Sequence, residues 1–205
     1  DPCIRFCHQK DIQTTGWLQV PIKKCKSSDT KSQINIKCDS KYITKSFVSS
    51  GNGRILQASY DIETYSVDGS FPSPKVPENV ITMISTTLKY FGEPDFLLKH
   101  VIVLGECNEI PGCVIETVKT EKKLLERWFE LVSGWDFDIL FSYNGDQFDG
   151  NYIEKRAQKH KISVKMGKMS RIPDLPCTLH LETFNSSARG KTDFNRLIMP
   201  GRINF

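Results

Sequence analysis

Two acidic residues, Asp61 and Glu63, stand two positions apart at the end of the apolar run 55–60. The run predicts a buried strand, and because side chains alternate between the two faces of a strand, both carboxylates should project to the same side. Adjacent carboxylates repel each other unless a proton or a cation lies between them, and a hard ion such as Mg²⁺ prefers oxygen ligands of this kind. The pair therefore indicates a candidate metal site, with solvated carboxylates at a strand end as the common alternative.

The composition is that of an ordinary globular protein. The chain has 205 residues, of which 39% are hydrophobic and 25% charged, enough for about one domain with part of another. The formal net charge of +4 is compatible with a nucleic-acid partner without establishing one. No apolar run approaches the ~18 residues that span a bilayer, so no membrane association is expected. The chain does not begin with Met, which favours a segment of a longer protein.

The seven cysteines lack the paired spacing of a zinc knuckle or ribbon. Their scatter favours free thiols in a reducing intracellular compartment. A zinc site formed by Cys3, Cys7, His8 and Cys25 is the alternative interpretation. The four histidines carry no recognisable catalytic motif, so the sequence gives little support to hydrolysis by a Ser/His/Asp or Cys/His triad.

A change in pattern near Gly51–Gly53 predicts two domains. Residues 1–52 contain short β-like runs around a Lys-rich loop at 23–32, which indicates part of a β-rich N-terminal domain. Glycines at 51 and 53 form a turn signal that marks the predicted boundary. Residues 53–205 then form the second, larger domain.

The second domain alternates strands and helices. Strands are predicted at 54–61, 80–90, 96–104, 113–118 and 137–143, and helices from Thr120 to Ser133-Gly134 and from near Asp149 to about His160. A short turn makes the second and third strands antiparallel, whereas a helix that crosses between strands makes the fifth strand parallel to the first. Asp61 and Asp149 should then lie at the carboxyl ends of neighbouring parallel strands, where open α/β sheets place their sites.

The last 45 residues carry weaker signals. The basic stretch Lys161–Arg171 predicts a solvated charged loop, and a contact with the DNA backbone is its alternative interpretation. Residues 185–192 predict a polar loop. Residues 196–205 predict one more strand, broken by Pro200-Gly201.

Two of these motifs together resemble the exonuclease domain of family B DNA polymerases. Asp61-Ile62-Glu63 looks like the first exonuclease motif, and Asn144-x-x-x-Phe148-Asp149 looks like the second. The resemblance covers most of the chain and is strongest over residues 54–205. It extends to further segments, namely Ile4-Arg5-Phe6, Gly16-Trp17-Leu18, Gly92-Glu93-Pro94, Glu121 through Trp128, and Pro200-Gly201-Arg202.

The resemblance implies an α/β fold with a ribonuclease-H-like mixed sheet and flanking helices, beside the small β-rich N-terminal segment. It implies a 3′–5′ proofreading exonuclease that uses two Mg²⁺ ions, for which Mn²⁺ can substitute, about 3.5–4 Å apart on the scissile phosphate. Asp61 would bridge both ions, Glu63 would bind the ion that activates water, and Asp149 would hold the second ion. Asn144 and Phe148 match positions that support the single-stranded 3′ end of the DNA primer.

One departure from the family pattern concerns the third exonuclease motif, a Tyr followed four residues later by an Asp. This motif does not occur within residues 1–205, so the chain alone is expected to have little or no exonuclease activity. The remaining polymerase domains are the implied partners. The divergent loops are similar to polymerases of large eukaryotic DNA viruses such as African swine fever virus, which would place the protein in the host cytoplasm or nucleus.

Two other functions stay open at this point. A stand-alone nuclease of the same acidic-cluster class would act on RNA or DNA outside replication, and the missing third motif counts against it. A non-catalytic DNA-binding or assembly module would retain a ribonuclease-H-like fold without activity. Stabilisation by Mg²⁺ or Mn²⁺ that depends on Asp61 would distinguish an active site from such a module.

Overall fold

The chain divides into two units, Asp1–Arg54 and Ile55–Phe205, in the computed structural model. The structure describes residues 2–28, 32, 34–47, 51, 53–187 and 190–205. Within these residues, no helix combines the length and the apolar character needed to cross a bilayer.

Among its described residues, the first unit contains one α-helix and two small antiparallel sheets. Helix α1 is followed by four short strands, in which β1 pairs with β4 and β2 with β3. The elements are α1 (Pro2–Lys10), β1 (Leu18–Gln19), β2 (Cys25–Ser27), β3 (Ile36–Cys38) and β4 (Thr44–Lys45), with 3₁₀ turns at Ile22–Lys24 and Ser40–Tyr42. Of the described apolar side chains in this unit, Ile12 alone is buried, so the described part of the unit has almost no hydrophobic core.

Two expectations for this unit need correction. Helix α1 was not anticipated, because its apolar side chains remain exposed or half-buried and produce no clear buried face. The predicted loop at 23–32 instead begins with the 3₁₀ turn and strand β2. Residues 29–31 of that loop, and Asn52 of the predicted boundary turn, lie outside the described residues.

The second unit contains a six-stranded mixed sheet in the order β12-β9-β5-β6-β7-β8. Strands β5, β6 and β7 are antiparallel neighbours, while β9 is parallel to β5, β8 to β7 and β12 to β9. The elements are β5 (Leu56–Thr64), β6 (Ile81–Tyr90), β7 (Leu98–Leu104), β8 (Val114–Val118), α2 (Glu121–Gly134), β9 (Ile139–Phe141), α3 (Asp149–Lys159), α4 (Ser163–Gly167), β10 (Thr178–Ser186), β11 (Gly190–Ile198) and β12 (Ile203–Asn204).

The helices cover one face of this sheet and create the core. Helix α2 begins where the Thr120 hydroxyl accepts a hydrogen bond from the N–H of Lys123, as its N-cap residue predicts. Its apolar face buries Leu124, Leu125 and Trp128 against the buried positions of β5 and β6. The mixed α/β sheet with flanking helices that was expected for a ribonuclease-H-like domain is confirmed.

Two segments after α3 differ from the sequence prediction. The stretch 161–171 is not a solvated loop, because it contains the short helix α4 and buries Met166 and Met169 in the core. The predicted loop at 185–192 is also wrong, since β10 extends to Ser186 and β11 begins at Gly190 in an antiparallel hairpin. Residues 188 and 189 at its tip lie outside the described residues. Most described side chains of β10 are exposed, including those of Leu181 and Phe184, so its apolar residues form no buried face.

Candidate active site

Strand β5 presents the two acidic residues on its exposed face. Asp61 and Glu63 are exposed, whereas Tyr60 and Ile62, which alternate with them, are buried. The pairing of β5 with β6 shifts its register between Glu63 and Thr64. Such a bulge ends regular pairing and changes the direction of a side chain, so Glu63 stands where the ladder is interrupted.

Asp149 comes to the same edge of the sheet through β9. Gln57 and Ser59 of β5 pair in parallel with Ile139 and Phe141 of β9, so both strands end on the same side. The chain then turns and begins α3 at Asp149, whose side chain is only 3% exposed. The sequence-based expectation that Asp61 and Asp149 follow neighbouring parallel strands therefore agrees with the observed topology.

The Asp149 carboxylate lies in an environment that disfavours its charge. Burial raises the pKa of Asp149 above its ordinary value, and the negative charge of Asp61 raises it further. The Ser142 hydroxyl opposes this by donating a hydrogen bond of 2.9 Å to Oδ2. A backbone hydrogen bond from Ile62 also lowers the pKa. Asp61 and Asp149 are thus electrostatically coupled, and a cation between them would relieve the cost of their repulsion.

The Tyr60 hydroxyl lies close to Gly145 and Gly150, two glycines that the sequence analysis did not single out. Burial raises the pKa of Tyr60, the charge of Asp149 adds to the rise, and a hydrogen bond with Ser142 opposes it. A Cβ atom on Gly150 would lie 2.9 Å from the Gly145 carbonyl oxygen and 3.3 Å from the Tyr60 hydroxyl. Tyr60, Ser142 and Asp149 therefore form a hydrogen-bonded series that only glycine at position 150 accommodates without displacement.

The two residues expected to contact a DNA 3′ end occupy different surroundings. Phe148 is half-buried, with its ring centroid 5.3 Å from that of Phe71 and 5.5 Å from that of Tyr152. Asn144 is exposed, and its carbonyl oxygen accepts the Phe148 N–H at 2.8 Å. Phe71 is 79% exposed and was missed by the sequence analysis, because it lies in the polar, Pro-rich loop after the first motif and not in the motif itself.

A buried ion pair holds the loop that carries Phe71. Glu121 and Arg156 are 4% and 1% exposed, and Arg156 Nε donates to Glu121 Oε1 at 2.7 Å. The same guanidinium donates to the carbonyl oxygens of Pro74, Val76 and Pro77. Helix α3 is thereby joined both to the start of α2 and to the β5–β6 connection.

Two of the four cationic side chains of the basic stretch 161–171, Lys165 and Arg171, form ion pairs within the chain. Lys165 Nζ lies 3.2 Å from Glu126 Oε1, and Arg171 Nη2 donates to Asp138 Oδ1 at 3.0 Å. These pairs leave little free positive charge at the two positions. The contact with a DNA backbone that was weighed for this stretch gains no support from its geometry.

The acidic residues at the sheet edge are of the type that binds a hard metal ion. Asp61, Glu63 and Asp149 supply carboxylate oxygens, the ligand type that Mg²⁺ and Mn²⁺ prefer, and the buried member has a raised pKa. Across the described ranges, no three His, Cys, Asp or Glu side chains approach one another closely enough to form a complete metal cluster.

The cysteines do not form a metal site in the described residues. All seven cysteines are free, and the alternative zinc site of Cys3, Cys7, His8 and Cys25 is not formed in the described residues.

Comparison with known proteins places the chain in one family. Residues 1–205 match the family described as "DNA polymerase family B, exonuclease domain". The chain is 30% identical over 207 residues to the DNA polymerase delta catalytic subunit of Dictyostelium discoideum, which covers 98% of this chain and 18% of that protein. It is 26% identical over 210 residues to the DNA polymerase of Paramecium bursaria Chlorella virus NY2A, covering 98% of this chain and 23% of that protein.

A third relative matches more closely over a shorter stretch. The DNA polymerase delta catalytic subunit of Plasmodium falciparum (isolate K1 / Thailand) is 36% identical over 154 residues, covering 74% of this chain and 14% of that protein. The chain thus spans about a fifth of the length of the relatives that match it throughout. Since the family pattern extends over all 205 residues, the chain belongs to the exonuclease-domain family of family B DNA polymerases.

Proposed function

We propose that this chain carries the catalytic carboxylates of a 3′–5′ proofreading exonuclease within a DNA-directed DNA polymerase. The observation that supports this best is the coupling of a buried carboxylate, Asp149, to Asp61 across neighbouring parallel strands. A buried carboxylate with a raised pKa beside a second carboxylate is typical of functional sites, and metal-dependent phosphodiester hydrolysis requires carboxylates placed together in this way. The reaction class follows from the site and from membership of the family.

The proposed catalytic residues are Asp61, Glu63 and Asp149. Two Mg²⁺ ions, or Mn²⁺ in their place, would supply the activation of water and the stabilisation of the leaving 3′ oxygen. Asp61 would hold both ions from the exposed face of β5, and Glu63 would extend the ligand set past the bulge. Asp149 would complete the set, held in position by the hydroxyl of Ser142, which is itself hydrogen-bonded to Tyr60.

The proposed substrate is the single-stranded 3′ end of a DNA primer. Phe148 and Phe71 form an aromatic pair next to the first residue of α3, and most of Phe71 faces solvent. Aromatic rings stack on any base, so they suit a site that removes nucleotides regardless of sequence. Exposed Asn144 adds hydrogen-bonding capacity on the same segment.

Charge supports a nucleic-acid partner for the first unit as well. Residues 1–54 contain eight Lys and two Arg against four Asp and no Glu, whereas the whole chain has a net charge of only +4. The excess positive charge therefore resides in the first unit, where it would strengthen a salt-dependent association with DNA.

The remaining polymerase domains are the other proposed partners. We also propose that the boundary between the N-terminal and exonuclease domains lies near residues 52 and 53. The parent protein would reside in a reducing intracellular compartment and would come from a virus. The relatives include both cellular and viral polymerases.

Metal-linked stabilisation of the 205-residue chain tests the proposed site. Mg²⁺ or Mn²⁺ should raise the free energy of unfolding, by about 2.7 kcal/mol at a concentration of about 100 times Kd. Urea unfolding followed by circular dichroism, over a metal titration, measures the effect. Asp61→Ala should remove the saturable part of the stabilisation.

The matched control is Asp95→Ala, which removes an exposed carboxylate in the turn between β6 and β7 and should leave the titration unchanged. Equal stabilisation of the parent chain and Asp61→Ala would mean that the ions bind elsewhere. No saturable stabilisation would favour the non-catalytic DNA-binding or assembly module.

Ser142→Ala tests the support of Asp149. Loss of a hydrogen bond to a metal ligand is expected to weaken metal binding by about 10–100-fold, because the buried carboxylate loses its hydroxyl donor. The apparent Kd from the same titration measures the change. Ser133→Ala is the control, since Ser133 donates a comparable hydrogen bond to the carbonyl of Lys168 near the end of α2. An unaltered Kd in Ser142→Ala would show that the hydroxyl does not position Asp149 for metal.

A further inference from the structure

Two cysteines face each other across the small β2–β3 sheet of the first unit. Cys25 and Cys38 are direct register partners in this antiparallel pair, and both side chains are half-buried. Since directly opposite residues project to the same face of a sheet, the two thiols lie side by side.

Residues opposite each other in an antiparallel sheet form either a hydrogen-bonded or a non-hydrogen-bonded pair, and the backbone hydrogen bonds show which kind Cys25 and Cys38 form. The N–H of Ser28 donates to the carbonyl oxygen of Asn35 at 3.3 Å, which marks those two as a hydrogen-bonded pair. The two kinds of pair alternate along antiparallel strands, so Cys25 and Cys38 form a non-hydrogen-bonded pair. The Cα atoms of such a pair are about 4.5 Å apart, within the range of about 4.4–6.8 Å that a disulfide spans.

The surroundings of the thiols agree with close approach. Burial raises the pKa of Cys38, and a hydrogen bond with the Cys25 thiol together with its charge raises it further. Each sulfur also lies within donating distance of a backbone carbonyl oxygen, Cys25 Sγ 3.4 Å from that of Pro21 and Cys38 Sγ 3.5 Å from that of Asp39. Neither contact ties its sulfur to a charged partner that a new covalent bond would have to displace.

We propose that Cys25 and Cys38 are a site of reversible oxidation, forming a cross-strand disulfide by exchange with a low-molecular-weight disulfide such as oxidised glutathione. One thiolate attacks a sulfur of the small disulfide and releases one small thiol. The second thiolate then attacks the mixed disulfide and releases the other. The two cysteines are oxidised, the small disulfide is reduced to two thiols, and one proton per cysteine passes to the released thiolates.

The bond would close residues 25–38 into a covalent ring. The first unit buries only Ile12 among its described apolar side chains, so this ring would replace part of the restraint that a hydrophobic core usually provides. The other cysteines are placed differently. Cys3 and Cys7 are one turn apart on α1, and Cys177 is buried.

The test is equilibration of the 205-residue chain in glutathione buffers of increasing oxidised fraction. Free thiols are then blocked by alkylation, and the chain is digested with trypsin. Cleavage after Lys24, Lys26, Lys37 and Lys41 leaves Cys25 and Cys38 on separate short peptides, so mass spectrometry detects their linkage directly. The Cys25–Cys38 linkage should exceed any other pairing by at least about tenfold, because the fold holds the two sulfurs together.

Three comparisons make the result decisive. The preference should disappear when oxidation is carried out in concentrated urea, since it depends on strand register. It should be lost in Cys25→Ser and retained in Cys3→Ser and Cys107→Ser. Linkage scattered among the seven cysteines, linkage between chains, or mixed disulfides with glutathione that never resolve would overturn the proposal.

Discussion

Arg156→Met is expected to lower the free energy of unfolding by about 3–5 kcal/mol. The substitution keeps an apolar stem of similar length in helix α3 but removes the guanidinium from the buried Glu121 carboxylate, leaving His160, whose Nε2 lies 2.6 Å from Glu121 Oε2, as its remaining side-chain partner. It also removes three hydrogen bonds to the carbonyls of Pro74, Val76 and Pro77. Equilibrium unfolding of the 205-residue chain in urea measures the loss.

The expected loss depends on Glu121, whose carboxyl group is buried and yet has a lowered pKa. Burial alone would raise its pKa, yet hydrogen bonds from Arg156, His160 and the N–H of Ile81 lower it below the ordinary value. A carboxyl group with a lowered pKa in the folded state contributes stability that is present above its unfolded pKa and is lost as pH falls. The difference in stability between the parent chain and Arg156→Met should therefore shrink as the pH is lowered below the ordinary pKa of a Glu, about 4.3.

Arg127→Met provides the matched control. Arg127 also makes two hydrogen bonds to one carboxylate, Glu116, at 2.6 and 2.9 Å, but its side chain is 40% exposed. Solvent-exposed pairs contribute only about 0–1 kcal/mol. The double variant Glu121→Gln/Arg156→Met should recover part of the loss, since it removes the unpaired charge. Similar losses for Arg156→Met and Arg127→Met would contradict the buried-pair explanation.

Asp149→Asn is expected to lower exonuclease activity on a single-stranded DNA 3′ end by on the order of 10³-fold, while raising stability at neutral pH in the absence of divalent metal. The activity falls because an amide cannot replace a charged ligand that contributes several kcal/mol to the transition state. Shortening of a 5′-labelled oligonucleotide by the full polypeptide that carries this segment measures it.

The gain in stability follows from the raised pKa of Asp149. Its folded state binds a proton more tightly than the unfolded state does, so the ionised carboxylate costs stability above the raised pKa, and that cost disappears as pH falls through it. The Asn variant should lack this dependence at pH values above the ordinary Asp pKa of about 3.9. Asp95→Asn, which changes an exposed carboxylate, should alter neither property. If the variant were less stable than the parent chain at neutral pH, the folded state would be stabilising the ionised Asp149 carboxylate, which would contradict this prediction.

The residues that could be located from the sequence carry local signals. Asp61 and Glu63 follow an apolar run whose alternation fixes their common face, and the Thr120 hydroxyl marks the start of α2. Asp149 was located because the crossover rule makes β9 parallel to β5. Each of these predictions depends on neighbouring residues or on a general rule of chain direction.

The features that were missed depend on contacts between distant segments. Ser142 and Tyr60 gain a role only once β9 lies beside β5. Phe71 approaches Phe148 through a loop held by Arg156. The partnership of Cys25 and Cys38 depends on strand register, which no single segment encodes. The β10–β11 hairpin was missed because the apolar side chains of β10, such as Leu181 and Phe184, are exposed and form no buried face.

The parallel pairing of β5 with β9 also bears on the order of folding. Strands β5, β6 and β7 follow one another and pair as antiparallel neighbours through connections at residues 65–80 and 91–97, so their association closes shorter loops than the pairing of β5 with β9 does. The pairing of β5 with β9 must wait for α2 and closes a much longer loop, which costs more chain entropy. During synthesis from the N-terminus, Asp61 would thus be in place on its sheet before Asp149 emerges from the ribosome. The proposed catalytic centre would therefore be completed only after β5 has paired with its antiparallel neighbours.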